Sequence, residues 1–160
     1  MGKINIYTDG AARGNPGPGG YGVILEYGEH TKELSDGFRL TTNNRMELLA
    51  VIIGVEQIQK SGHEIIIYSD SKYVVDAINK KWVFNWEKIK YKKKKNKDLW
   101  QRFLQSYKNH NITMKWVKGH AGHIQNERCD YLAVQASNSR TLKVDKEYEL
   151  TNSENNSLFD

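Results

Sequence analysis

Four carboxylates stand out by where they fall in the chain. Asp9 closes the run Lys3–Gly10, and Asp70 closes the run Glu64–Asp70. Glu47 lies about one turn into a segment that opens at Thr42, and Asp130 lies in the first turns of Asn126–Ser137. Strand ends and helix starts are the places from which separate elements aim side chains at one edge of a sheet. Each residue also has an ordinary alternative. Asp9-Gly10 is a common turn pair. Glu47 has the N-x-x-E spacing that closes a capping box on Asn44. Asp70 could cap the helix after it, and the helix dipole favours an acid at Asp130. Taken together the four point elsewhere, because four carboxylates share a pocket only if their repulsion is neutralised or some are protonated. Hard oxygen donors of this kind suit Mg²⁺ or Mn²⁺. Two such ions ~4 Å apart clamp the attacking water and the leaving oxygen of a phosphodiester. His120, in Lys118-Gly119-His120-Ala121-Gly122-His123, could pass a proton near neutral pH. Its alternatives are a surface histidine or, with His123, a metal ligand.

The elements that must position these groups follow from hydrophobic patterning. In Lys3–Gly10, Ile4, Ile6 and Thr8 alternate with Asn5, Tyr7 and Asp9, the period of two of a strand. The loop Gly10–Gly20 holds both prolines of the chain and five of its glycines, so it can take a tight, defined path. Tyr21–Tyr27 and Thr31–Leu40 read as two further strands of an antiparallel meander. Leu48–Val55 is apolar nearly all round, which predicts a buried helix, ended by Ser61-Gly62. Ile65-Ile66-Ile67 suits a strand covered on both faces. Helices are expected over Ser71–Lys80, Asp98–Tyr107 and Asn126–Ser137, with a strand over Ile112–Val117. The expected fold class is α/β: a mixed sheet, antiparallel meander plus parallel strands, with helices on both faces. Residues 141–160 lack a core pattern and are expected to form an acidic, mostly disordered tail after a single domain spanning 1–140.

Composition narrows the partners. The chain has 160 residues and a net charge of +5. Residues 141–160 carry −3, which leaves +8 on residues 1–140. The lone Cys129 allows no internal disulfide and makes a zinc–cysteine site improbable on ligand count. No apolar run is long enough to span a membrane, and the start of the chain carries no secretory pattern. A soluble, cytoplasmic monomer is the expectation. Between Lys80 and Lys97 lie nine lysines, four aromatics and one acid. Lysines track phosphates and rings pack on sugars or bases, so nucleic acid is the favoured partner over a merely solvated basic loop.

These features together resemble type 1 ribonuclease H in its bacterial single-domain form. The segments that carry the resemblance are Tyr7-Thr8-Asp9-Gly10, Gly14–Gly22, Thr42-Asn43-Asn44-Arg45-Met46-Glu47-Leu48, Ser69–Val74, Trp116–His123 and Asn126–Asp130, in the family's order. The resemblance implies a ribonuclease H-like five-stranded mixed sheet. It implies an endonuclease that hydrolyses the RNA strand of RNA–DNA hybrids by two-metal-ion catalysis, without strong sequence specificity, leaving 5′-phosphate and 3′-hydroxyl ends. Asp9, Glu47, Asp70 and Asp130 would hold two Mg²⁺ ions, with Mn²⁺ able to substitute, and His120 would shuttle a proton or help product leave. Asn15, Asn43 and Asn44 match positions that contact the RNA strand. Thr42 and Asn96 match the pocket for a DNA-strand phosphate, and Tyr73 and Trp82 match aromatics of the DNA groove. A DNA-cutting nuclease of the same fold and a non-cutting hybrid-binding module are the rival readings.

Overall fold

The computed structural model describes residues 2–119 and 123–157. A five-stranded sheet carries the order β3-β2-β1-β4-β5. Its centre is β1 (Lys3–Ala12), which pairs antiparallel with β2 (Gly17–Tyr27) and parallel with β4 (Glu64–Ser69). β3 (His30–Thr41) completes the meander, and β5 (Asn111–Trp116) runs parallel to β4. The glycine-rich stretch is less of a loop than its composition suggests. β1 and β2 stay paired as far as Ala12 and Gly19, so only Arg13–Pro16 turn. Glycine is required here by packing: a Cβ at Gly22 would run into the Cys129 carbonyl of the helix lying across the strand.

Two helices cover the sheet. α1 (Asn43–Glu56) packs on β1 and β2, and its sides also meet α4 (Lys97–Tyr107), which is why it is apolar nearly all round. Met46, Leu48, Ala50, Val51, Ile52 and Val55 are fully buried there against Ile6, Val23, Ile65 and Ile67. α5 (Ile124–Ser137) covers the opposite face, where Cys129 packs with Tyr7 and Ile24. The single cysteine is thus core, its Sγ donating to the Tyr7 carbonyl at 3.2 Å. α2 (Lys72–Asn79) follows β4. The basic segment contains a short helix, α3 (Trp82–Lys88), that patterning did not mark off, since only Val83 of it is buried.

The C-terminal stretch departs from expectation. Instead of a disordered tail, Lys143 bridges Phe38 beside β3, and α6 (Lys146–Ser157) follows. Its anchors are polar, which is why no apolar stripe announces them. Arg39 grips Glu149 in a bidentate pair, and the Arg45 guanidinium takes both Asp145 oxygens at 2.7 and 2.9 Å.

Candidate active site

The site begins at one missing side chain. Gly10 follows Asp9 in β1, and a Cβ there would collide with the backbone of Met46 and Glu47. Its absence lets the second turn of α1 press against the end of β1. The Gly10 N–H then serves both elements, donating to Asp9 Oδ1 at 2.9 Å and to Glu47 Oε1 at 2.6 Å. Neither expected alternative for Glu47 or Asp70 holds. α1 is capped by Thr42, whose Oγ1 accepts from Arg45 N–H at 3.2 Å, so Glu47 is not part of a capping box. α2 is capped by Ser71, whose Oγ accepts from Val74 N–H at 3.2 Å, so Asp70 is free of that duty. Asp70 sits just past β4, with its carbonyl accepting from Trp116 Nε1 at 3.2 Å.

Asp9, Glu47 and Asp70 each bring a carboxylate oxygen within 4.8 Å of the others. Asp9 and Glu47 are buried and Asp70 half-buried. Asp130 does not join this tight cluster. It stands on α5 across a small cleft that it lines with Asp9, Asp70, His123, Asn126 and Glu127. Burial, then the charge of Asp70, pushes Asp9 up to about 8, with Asp130 adding to the same effect and the Glu47 and Gly10 hydrogen bonds opposing it. Burial, then Asp9 and Asp70, holds Glu47 well above the usual carboxylate range. The protein therefore gathers carboxylates where burial and mutual repulsion oppose their ionisation. The donor set is all oxygen, and among the described residues Asp70 Oδ1 and Asn126 Oδ1 are buried without a hydrogen-bond partner. Hard divalent cations fit such a set. His120 lies outside the described residues.

The other expected residues divide by place. Asn15, Thr42, Asn44 and Asn96 line one cavity of about 850 Å³. Asn15 Oδ1 accepts from Asn43 N–H at 3.0 Å, tying the β1–β2 turn to the start of α1. Asn96 takes a left-handed backbone at φ 64°, a conformation that asparagine tolerates better than most residues. Its Nδ2 donates to the Tyr73 hydroxyl at 3.1 Å, which also accepts from Trp100 Nε1 at 2.9 Å. Trp82 stands apart on α3, largely exposed, with Lys80 Nζ 5.3 Å from its ring centre.

A family model described as RNase H matches residues 1–138. The chain belongs to the RNase H family. Among its relatives, a ribonuclease H of Syntrophus aciditrophicus is 54% identical over 151 residues, covering 91% of this chain and 87% of that protein. The fold agrees with solved members of the family. LC9-RNase H1, a type 1 RNase H, matches with TM-score 0.77 and 33% identity over 86% of this chain and 73% of that one. LC11-RNase H1, solved in complex with an RNA/DNA hybrid, matches with TM-score 0.66 and 27% identity over 85% of this chain and 97% of that one. The chain is thus an enzyme of a nuclease family, and among its described residues no helix is long and apolar enough to cross a membrane.

Within this RNase H, three motif residues that the sequence reading gave no site role line or brace the site. Arg45 is 4% exposed, and its guanidinium binds Asp98 through two hydrogen bonds of 2.9 and 2.7 Å, Asp145 through two more, and Asn96 Oδ1 at 3.3 Å. It lies inside the Thr42–Leu48 motif, but its partners are 53 and 100 residues away, beyond any local signal. His123 and Asn126 line the carboxylate cleft. Asn126 shares a helix face with Asp130 at i, i+4, a signal visible in spacing. His123 Nδ1 is buried without a partner among the described residues, its ring 5.5 Å from that of Tyr7.

Proposed function

We propose that this RNase H hydrolyses the RNA strand of RNA–DNA hybrids endonucleolytically, with two divalent ions held by Asp9, Glu47, Asp70 and Asp130. The observation that carries the reading is the convergence of Asp9, Glu47 and Asp70 within 4.8 Å in an otherwise basic chain. Bound Mg²⁺ would neutralise the carboxylates, promote attack by water on phosphorus and stabilise charge on the leaving oxygen. The protein's own part is positioning. The Gly10 N–H fixes Asp9 relative to Glu47, and the α5 side of the cleft presents Asp130 opposite. Attack by water rather than by the 2′-hydroxyl leaves 5′-phosphate and 3′-hydroxyl ends. His120 is assigned the proton transfer or product-release role.

Choice of RNA comes from the 2′-hydroxyl. Asn15 uses its Oδ1 on Asn43 N–H, which leaves its amide NH₂ to donate to substrate. Asn43 and Asn44 sit at the exposed start of α1 beside it. None of the three reads a base, so selection is for hybrid geometry rather than sequence. Thr42 and Asn96 would hold a phosphate of the DNA strand, a reading supported by their shared lining of the 850 Å³ cavity and by the Tyr73 hydroxyl that accepts from Asn96 Nδ2. Trp82 would pack on the DNA strand from α3. The reading includes a monomer acting in the cytoplasm, with Mn²⁺ able to replace Mg²⁺.

The test is cleavage of an end-labelled RNA–DNA hybrid in Mg²⁺, beside single-stranded RNA, duplex RNA and duplex DNA. Cutting of hybrid RNA alone, stopped by EDTA, is expected. Asp70→Asn should still bind the hybrid in a mobility-shift assay and lose cleavage by at least about a hundredfold, the scale on which removing a charge-stabilising group acts. A variant that cleaves like the parent would remove Asp70 from the metal site.

A further inference from the structure

The cavity lined by Asn15, Thr42, Asn44 and Asn96 has a wall made by the C-terminal helix. α6 contributes Glu147, Tyr148, Thr151 and Asn152 to its lining. The four are spaced so that 147 and 151, and 148 and 152, stack at i, i+4 on one helix face. Glu149 points elsewhere and is taken by Arg39. The helix therefore uses one face to attach and another to line the cavity. Its position is fixed before it starts. Arg39 N–H donates to the Lys143 carbonyl and Lys143 N–H to the Gly37 carbonyl, both at 2.9 Å, and Thr41 Oγ1 donates to Asp145 Oδ2 at 2.8 Å.

The charge of the cavity is arranged to match. Arg45 faces it but is held by two carboxylates, Asp98 and Asp145, and brings no spare positive charge. Positive charge comes instead from the opposite rim, from Lys94, Lys95 and Lys97, and none of the three forms an ion pair among the described residues. The α6 face offers neutral donors: the Tyr148 hydroxyl, the Thr151 hydroxyl and the Asn152 amide. Neutral donors opposite a lysine rim suit the oxygens of a phosphodiester, which proteins bind through Lys, Ser, Thr, Asn and Tyr side chains. As a stability device the helix is poorly built, since the Arg39–Glu149 pair is largely exposed on the arginine side and such pairs contribute little.

We propose that α6 is part of the nucleic-acid surface: Tyr148, Thr151 and Asn152 extend the phosphate cavity along the DNA strand, and Glu147 weakens binding there through its charge. The proposal rests on the hybrid-cleaving reading above and adds a substrate contact to it. It predicts effects of opposite sign from neighbouring residues on one helix.

The experiment is fluorescence anisotropy of a labelled RNA–DNA hybrid with the full chain, without divalent metal so that nothing is cut, at low and high salt. Thr151→Ala combined with Asn152→Ala should raise Kd about fivefold to tenfold, the scale of hydrogen bonds to a charged group, and Thr151→Ser should bind like the parent. Glu147→Gln should lower Kd about twofold at low salt, as expected for one charge near a phosphate through water, and lose that effect at high salt. Melting temperatures of all variants should match the parent, which separates contact from support. If the parent binds hybrid and every variant binds equally, or if all variants weaken in step with lost stability, the α6 contact is refuted and the substrate reading stands. A parent that does not bind hybrid refutes both.

Discussion

Replacing Asp9 by asparagine should stabilise the metal-free protein while abolishing its chemistry. Burial and the charges of Asp70 and Asp130 push Asp9 up to about 8 from an ordinary value of 3.8. The folded state therefore holds a proton that the unfolded state has released by neutral pH. A group whose folded-state pKa is raised contributes stability that is fully present below the unfolded value and lost as pH rises through the folded one. Here the loss runs from about pH 4 to pH 8, at up to about 1.4 kcal/mol per pH unit. At pH 7 that is about 4 kcal/mol as an upper bound. Removing one charge also relieves Glu47 and Asp70, while asparagine loses the hydrogen bond that Asp9 Oδ1 accepts from Gly10 N–H only if its amide turns the wrong way. A net gain of about 2–3 kcal/mol at pH 8 is expected, shifting Tm upward by about 4–12 °C for a chain of this size. The assay is thermal unfolding of parent and variant in EDTA at pH 5 and pH 8. The variant's advantage should grow with pH, and Mg²⁺ should raise the Tm of the parent far more than that of Asp9→Asn. An advantage equal at both pH values, or an asparagine variant less stable at pH 8, would refute the claim that repulsion among these carboxylates is stored in the fold.

Two further substitutions test the scaffold. Gly10→Ala drives a Cβ into the Met46 and Glu47 backbone. It should cost about 1–3 kcal/mol, the overpacking range, read by urea unfolding, and should reduce hybrid cleavage far more than the lost stability explains, because it parts Glu47 from Asp9. Arg45→Met leaves Asp98 and Asp145 without their shared cation and should cost about 3–5 kcal/mol at pH 7. Burial pushes Asp98 up, but the hydrogen bonds and charge of Arg45 outweigh it and hold the group below the usual carboxylate range. A depressed pKa gives stability that is present above the unfolded value and lost as pH falls through the folded one. The parent should therefore lose stability below about pH 4 by a step that Arg45→Met lacks, as followed by circular dichroism.

What the sequence made legible was whatever leaves a periodic or punctuated trace. The alternation of Ile4, Ile6 and Thr8 marked the central strand, and the unbroken run Ile65-Ile66-Ile67 marked a strand covered on both faces; the structure pairs these two in parallel, Ile4 with Ile65 and Ile6 with Ile67. Asp9, Glu47 and Asp70 were legible as a group because each falls where a sequence pattern breaks, although β1 itself runs on past Asp9 to Ala12. Their tightness was not, because it depends on Gly10 letting two backbones meet, which no spacing encodes. The same limit explains the C-terminal stretch. Its residues bury little apolar surface, so hydrophobic patterning had nothing to find, while its anchors are Arg39 and Arg45, more than 90 residues upstream.

Arg45 links the two halves of this behaviour. It touches the start of α1, the start of α4 through Asp98 and Asn96, and the C-terminal stretch through Asp145. The Thr42–Glu47 motif thus sends Glu47 one way, to the carboxylates, and Arg45 the other, to the cavity that faces the lysine rim. In an α-helix, residues two apart point to different sides, so one turn of α1 sets the distance between the metal-binding carboxylates and the cavity. Shifting the register of that turn by one residue, by inserting an alanine after Asn44, should disconnect the two: hybrid binding through the lysine segment should persist, and cleavage should vanish even in Mn²⁺. Cleavage that survives the insertion would mean that the spacing between cavity and carboxylates is not what aligns the RNA strand for attack.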